Sequence, residues 1–500
     1  MKKIVVFGAG KSSSALIGYL TRQCQENNWL LTVADFNEAN AQKAVENSSH
    51  SRAVGVNVNN EAEREPLISE ADIVISLLPA ELHFLVAQSC IKFSKNLLTA
   101  SYLDDNIKSL RKEIEDKGLL FIGEMGLDPG IDHMSAMRMI HDIHAEGGEI
   151  NTFYSHCGGL VAPESDNNPW HYKISWNPRN VVNAGKAGAT YLKDGKIVTE
   201  KYFDLFDPTR IVEVNKQMCY AWYPNRNSLN YIDLYGLAGV KNFMRTTLRH
   251  PDFNLGWKNL IDLGLTAEIG EYQTDGMSLR EFFLQHFREN DFAGWLEELT
   301  GKMEKTKELL EMLSGVMEME SELKDPIQEI MLVDSSGQLK DLRVDEIKRN
   351  ATHAAALQMN EARTVLKQLI WLGMIDDQTK INRGTCNAAQ VLLFILEEKL
   401  KMNPNDKDLV VMLHQVEFEK DGINMAVDSS LVVYGEDSKN TAMAKTVGLP
   451  LAIAATLILK GELALTGLHI PIIPEIYSPV LKELEKNDIV FEERIRNISN

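Results

Sequence analysis

The stretch Ile4-Val5-Val6-Phe7-Gly8-Ala9-Gly10-Lys11-Ser12-Ser13-Ser14 restricts the possible folds more than any other part of the chain. An apolar, β-branched run that breaks into glycines must turn sharply, and two phosphate-binding turns compete for it. A P-loop needs Gly-x-x-x-x-Gly-Lys-Ser/Thr, because its first glycine lets the backbone wrap the phosphates. Counting back from Gly10, that position holds Val5, inside the apolar run and suited to a strand. A dinucleotide-type turn needs a strand, Gly-x-Gly, a helix, a second strand and an acidic residue at its end. "KKIVVF", Gly8 and Gly10, "SSSALIGYLTRQCQ", "WLLTVAD" and Asp35 supply these in order. Roughly 25 residues separate Gly10 from Asp35, near the spacing of a carboxylate that meets an adenosine ribose. The third glycine position is Ser13, so a helix set slightly further from its sheet is expected.

Asp35 also bears on the cofactor. A carboxylate there accepts hydrogen bonds from both ribose hydroxyls and repels a 2′-phosphate. No arginine follows in "DFNEAN", so NAD is expected over NADP.

Beyond this turn the β and α signals alternate. "ADIVISLLP" gives a strand Asp72 to Leu78, "LLTASYL" one from Leu97 to Leu103, and "LLFIGEMGLDPG" one from Leu119 to Gly130 with an unusual exit loop. The pattern predicts a doubly wound parallel sheet. Ligands gather at the carboxyl ends of such strands, where Pro79, Ser101, Tyr102 and Asp128 fall. The polar, aromatic stretch "SHCGGLVAPESDNNPWHYKISWNPRN" reads as too polar for core, either a substrate-facing loop or a surface connection. Residues 255–400 read as mostly helical, with an apolar stripe through Leu296, Leu299, Met303, Leu310, Leu313 and Met317.

A chain of 500 residues is too long for one core, so two or three domains are expected. Lys2 and Lys3 precede an apolar run as in a signal peptide, but Gly8 to Lys11 break it too early. The apolar stretch Val447 to Leu459 is about 13 residues long, contains Pro450, and suits a buried helix better than a membrane span. Five scattered cysteines without a C-x-x-C pair support neither a disulfide framework nor a zinc ribbon, and fit a reducing cytoplasm. A net charge of −19 argues against nucleic acid or an anionic membrane as partner. An anionic substrate would require positive charge concentrated locally against that field. His133, His141 and His144 lie on one predicted helix without a carboxylate or thiolate to complete a ligand set, so no metal is expected. Cys157 beside Gly158-Gly159 has no marked base and reads as a small buried thiol, and no G-x-S-x-G elbow is present.

Taken together, the strings "DIVISLLP", "TASY", "GLDPGIDH", "CGGLVAPESDNNPWHYKISW", "YPNRNSL", "TLRHPDF", "LIDLGL", "WLGM" and "MAKTVGLPLAIA" resemble the glutamate-forming saccharopine dehydrogenases, also called saccharopine reductases, in the same order over nearly the whole chain. The resemblance implies an α/β fold: a Rossmann domain from residues 1–130 and 440–500, a second α/β domain from 131–254 and 400–439 that carries the substrate, and a mostly helical region at 255–399. It implies NAD-dependent oxidative cleavage of saccharopine to L-glutamate and 2-aminoadipate 6-semialdehyde, or the reverse. Substrate positions carried over are Ser101, Tyr102, Asp128, Arg226, Thr247, Leu248 and Arg249, with Arg245 just before. Three substrate carboxylates suit arginine forks, and Asp128 would meet the substrate amine. Cofactor positions are Gly8, Gly10, Lys11, Ser12, Ser13, Asp35, Leu78, Pro79, Met125, Leu127 and Ile131. Some members carry an arginine just beyond the second strand and use NADP; Asp35-Phe36 here again points to NAD. Asp128 and Lys173 are the candidates for moving a proton on and off nitrogen. The region between Ser278 and Asn360 looks longer than in compact members and is where a homodimer contact is expected, if one forms. The rival readings are a carboxynorspermidine-type enzyme of the same superfamily and a non-catalytic sensor of NAD(H).

Overall fold

Apolar, β-branched runs pair as parallel strands when helices cover both faces, and the N-terminal third of the chain does this. The computed structural model describes residues 1–45, 48–216, 218–297, 301, 329–333, 339–343 and 360–498. Strands β1 (Lys3–Phe7), β2 (Leu30–Asp35), β3 (Ser51–Gly55), β4 (Ile73–Ser76), β5 (Asn96–Thr99) and β6 (Leu120–Ile122) form one parallel sheet in the order 3-2-1-4-5-6. The late strand Gly467–His469 adds to it beside β6, again parallel. In such an order the direction of winding reverses between β1 and β4, and a crevice opens at their carboxyl ends.

Several expected strands are shorter than their apolar runs. The segments ascribed to Asp72 to Leu78, Leu97 to Leu103 and Leu119 to Gly130 stop at Ser76, Thr99 and Ile122. Each surplus therefore becomes loop at the carboxyl edge. The strand Ser51–Gly55 lies on the sheet edge and is only partly buried, so its sequence lacks a strong apolar signal.

A second, mixed sheet is built around β7 (Glu149–Val161), flanked by β8 (Met218–Pro224) and β9 (Asn242–Arg249) on one side and by β10 (Asp408–Lys420) and β11 (Ile423–Tyr434) on the other. β9 runs parallel to β7, and β10 and β11 form an antiparallel hairpin. "SHCGGLV" is thus the second half of a central strand, and Trp170 and Tyr172 further along the same stretch are fully buried. The expectation that this stretch is too polar for core is corrected: its glycines allow close packing, as at Gly158, where a Cβ would lie 2.7 Å from Leu248 Cβ.

Three helices join the layers. α1 (Ser14–Asn27) follows the glycine turn, α2 (Ile131–Ala145) follows the "GLDPG" loop, and α3 (Ala442–Lys460) returns from the second sheet to pack on α1. At Gly448 a Cβ would stand 3.0 Å from Leu16 Cβ, so the small residue permits that approach. α3 has 19 residues, longer than the 13-residue apolar stretch read from sequence. Its length and composition alone would suit a membrane, but 78% of its apolar window is buried inside the fold. Residues from both sheets and all three helices share one continuous core.

The chain divides into two compact units: Met1–Asn167, His171–Pro251 and Leu400–Asn500 make the first, and Asn168–Trp170 and Asp252–Lys399 the second. In the second unit Gln368 Nε2 donates to the carbonyls of Pro169 (2.9 Å) and Asp252 (2.8 Å), and helix Leu279–Glu289 begins with a Ser278/Glu281 capping box. The apolar stripe from Leu299 onward, and most of the stretch in which a homodimer contact is expected, lie outside the described residues.

The fully buried Asp408 holds the start of α3: its carboxylate accepts from Ala442 N (2.6 Å) and Met443 N (3.0 Å). Asp408→Ala leaves both amides without that acceptor. The expected loss is about 1–3 kcal/mol, read as a lower urea midpoint with little change in slope.

Candidate active site

The glycine turn fits a bound dinucleotide. Gly8 has φ +105°, and a Cβ there would lie 2.7 Å from the carbonyl oxygen of Leu77, the first residue after β4. Only glycine satisfies both the backbone angle and that approach. At Gly10 a Cβ would meet nothing within 4 Å, which leaves open space in front of the turn. Ser13, at the N-cap of α1, does not cap the helix with its side chain; its hydroxyl donates to Gly10 O (2.8 Å). The first amides of α1 are therefore not covered by that side chain, as an anion-binding helix end requires. This bond also explains how a buried serine takes the third glycine position.

Around this turn, Lys11 is exposed, Ser12 and Leu78 are half-buried, and Pro79 is exposed just beyond β4. Met125, Leu127 and Ile131 are buried in the core, so their side chains hold the "GLDPG" loop in place from behind. That loop is tightly wound: Gly126 N donates to Pro129 O (2.9 Å) and Asp132 N to Leu127 O (3.0 Å).

The loop delivers Asp128 to a buried polar cluster between the two sheets. Arg245, from β9, donates through one Nη2 to Asp128 Oδ1 (2.6 Å) and Asp132 Oδ2 (2.6 Å). Tyr102 OH donates to Asp128 Oδ1 (3.2 Å), and the Arg245 guanidinium lies 4.4 Å from the Tyr231 ring centroid. Behind Arg245, Glu124 accepts from His133 Nε2 (2.9 Å) and Tyr231 OH (3.2 Å), and His133 Nδ1 bonds Tyr235 OH (2.6 Å). His133 meets two carboxylates, Glu124 before the loop and its neighbour Asp132, as ion-pair partners.

The two aspartates that share this guanidinium shift in opposite directions, although Arg245 pulls both down. Burial pushes the Asp128 carboxyl up, despite the opposing pull of Arg245. Burial also opposes ionisation of Asp132, but His133, Arg245 and the Gly130 N–H together hold it below its ordinary 3.8. Burial works against the Arg245 charge as well, and Tyr102, Asp128 and Asp132 more than restore it. Cys157 is buried nearby, and burial pushes its thiol well up, so it is no ready nucleophile.

Ser101 is reached by another group that the sequence reading passed over. His83 Nε2 bonds Ser101 Oγ (2.7 Å) and its Nδ1 bonds Ser76 Oγ (2.8 Å), linking the ends of β4 and β5. Burial pushes this imidazole down to about 4, so it serves as a neutral bridge near pH 7.

A cavity of about 450 Å³ opens beside the cluster. Its walls include Tyr102, Arg226, Arg245, Lys108, Arg111 and one carboxylate, Glu124. Arg226 stacks on Tyr102, its guanidinium 5.2 Å from the ring centroid. Side chains along β9 alternate: Arg245, Thr247 and Arg249 share one face, while Leu248 is buried with Leu160 and Val411 on the other. Arg249 is buried next to Tyr172, with Nη1 donating to Leu248 O (2.8 Å). Lys173 is buried too, with its ammonium committed to Asp406 (2.5 Å).

The pH dependence of Asp132 follows from its direction of shift. Its ionic contribution is present above pH 3.8 and is lost as pH falls through the lower folded value. Asp132→Asn is expected to cost about 1.5–3 kcal/mol at pH 7. Urea titrations from pH 7 downward should show the gap to the parent closing below pH 3.8.

Comparison with known proteins places this geometry. Residues 4–122 match a family model described as the saccharopine dehydrogenase NADP binding domain, and residues 126–490 match the saccharopine dehydrogenase C-terminal domain. The saccharopine dehydrogenase [NADP(+), L-glutamate-forming] of Saccharomyces cerevisiae is 32% identical over 495 residues, covering 99% of both chains. That of Pyricularia oryzae is 31% identical over 499 residues, with the same coverage. The solved apo saccharopine dehydrogenase (L-Glu forming) of S. cerevisiae superposes with a TM-score of 0.79 at 28% identity, covering 99% of this chain and all of that one. These names overturn the expected preference for NAD. The structure supplies the reason that the Asp35 argument fails. Its Oδ2 accepts from Ala9 N (2.8 Å) and its Oδ1 from Asn37 N (2.9 Å), so the carboxylate braces the glycine turn and the chain beyond β2. By sequence along its full length and by fold, the chain belongs to the L-glutamate-forming saccharopine dehydrogenase family.

Proposed function

We propose that this protein is an NADP-dependent oxidoreductase that cleaves L-saccharopine to L-glutamate and 2-aminoadipate 6-semialdehyde, and that also runs the reverse condensation. The observation that carries the reading is the cavity walled by Arg226, Lys108 and Arg111, beside the Asp128–Arg245 cluster, in a chain of net charge −19. A substrate with three carboxylates and a secondary amine matches it. The bound nicotinamide supplies the acceptor for the hydride that leaves the carbon beside the amine.

The chain's own residues then have separate tasks. Gly8, Gly10 and the α1 terminus cradle the pyrophosphate. Arg226, set over the Tyr102 ring, takes a substrate carboxylate. Asp128, with a carboxyl raised by burial, faces the substrate amine and holds or returns a proton at its nitrogen. Lys173 has no part in this scheme, because its ammonium is engaged by Asp406.

The test is purified protein with saccharopine and NADP, following NADPH absorbance and glutamate together. Both products should appear, with kcat/KM for NADP exceeding that for NAD. Arg226→Ala should lower kcat/KM for saccharopine by about 10- to 100-fold, the worth of a charge-assisted hydrogen bond of 1.5–3 kcal/mol. NADPH binding without turnover of saccharopine would refute the assignment and turn attention to a polyamine-type condensation.

A further inference from the structure

The substrate cavity contains more positive charge than its recognised arginines supply, and one of those arginines is not available. Arg245 is bonded to two carboxylates, Asp128 and Asp132, each at 2.6 Å. Its guanidinium is already engaged by the Asp132 carboxylate and the Asp128 carboxyl, so a third carboxylate would not meet a free cation there. Among the described residues the one carboxylate on the cavity wall, Glu124, is engaged by His133, Tyr231 and the amide of Leu103. The cationic character of the cavity therefore rests on Arg226 and on two residues of the segment after β5, Lys108 and Arg111.

Those two sit on consecutive short helices, Asp105–Ser109 and Arg111–Asp116, so one wall of the cavity carries both charges. Their own ion pairs are loose. Lys108 is 3.8 Å from a fully exposed Asp105, and Arg111 is 3.6 Å from an exposed Glu115. Exposed pairs of this kind are held weakly and yield readily to a better anion. Arg111 Nη1 also donates to the carbonyl of Leu468, from the late edge strand, which fixes the guanidinium at the cavity wall.

We infer that Lys108 and Arg111 form a carboxylate subsite that takes the substrate carboxylate farthest from Arg226, and so select for a tricarboxylate over shorter amino-acid adducts. This inference rests on the proposed reaction. Arg226 holds one end of the substrate, the Asp128 side faces the amine, and the Lys108/Arg111 wall holds the other end. Arg245 then acts as a positioning residue for Asp128 rather than as a carboxylate fork.

Calorimetric binding of saccharopine, without cofactor, to the parent and to Lys108→Met, Arg111→Met and the double variant tests it alongside steady-state kinetics. The double variant should bind saccharopine at least tenfold more weakly, with KM rising far more than kcat falls. Rising salt should weaken the parent more than the double variant, since screening acts on the charges removed. Lys108→Arg, which keeps the charge, should restore most of the affinity, and it also serves if the Met variants fold poorly. Undiminished binding by a folded double variant overturns the subsite. A parent that binds saccharopine in a Lys108- and Arg111-dependent way without turning it over leaves the subsite standing and sinks the proposed reaction. A parent that does not bind it at all sinks both.

Discussion

One guanidinium shared by two aspartates organises this protein. Arg245 comes from β9, Asp128 from the loop after β6, and Asp132 from the first turn of α2, so a single side chain ties the parallel sheet to the mixed one. A buried charge is tolerable only when its partners are placed to meet it. Here they are, and the tight "GLDPG" winding, the buried Met125, Leu127 and Ile131, and the Glu124–His133–Tyr235 chain serve to keep them so. The two aspartates are pushed in opposite directions, so the Asp128 carboxyl holds a proton more readily than Asp132 does. Their titrations belong to the pair and to Arg245 together.

The cavity shows how a strongly acidic molecule still presents a cationic wall. Global charge sets the far field, but a few cations on a concave wall dominate at contact distance, where screening by water and salt is least. Glu124 does not spoil that wall, because its oxygens are turned to His133, Tyr231 and Leu103. Electrostatic selection is thus local, and a net charge read from composition gives no measure of it.

Local features are readable from the residues and distant ones are not. The Gly8–Ser13 turn, the first helix and the alternation of β and α follow from neighbouring residues, and they stand in the structure much as the sequence suggests. Strand ends fall short of expectation at Ser76, Thr99 and Ile122, because an apolar run does not reveal where its hydrogen-bonded partner stops. His83 and Tyr231 carry no mark in the sequence, and Glu124 and Asp132 lie in the strings around "GLDPG" without any local sign of what they meet. Glu124 and Tyr231 are 107 positions apart in the chain, and His83 and Ser101 are 18 apart, so no short motif joins them. The inference from Asp35 to NAD fails for a related reason: the residue type reads as a ligand contact, while its partners are the chain's own amides at Ala9 and Asn37. Arginines are the reverse case, since only a resemblance singles out Arg226 and Arg245 from ordinary surface cations.

The return of α3 to α1, with Gly448 against Leu16, has a consequence for biogenesis. The apolar face of α1 emerges early from the ribosome, yet the helix that covers it and the strand Gly467–His469 that extends the sheet are made some four hundred residues later. At ordinary synthesis rates of about 5–20 residues per second, that face stays uncovered for roughly 20–80 seconds. Chaperones that shield apolar helices during translation therefore have a defined substrate in the first thirty or so residues, and the nucleotide-binding half of the molecule is completed last although it is made first.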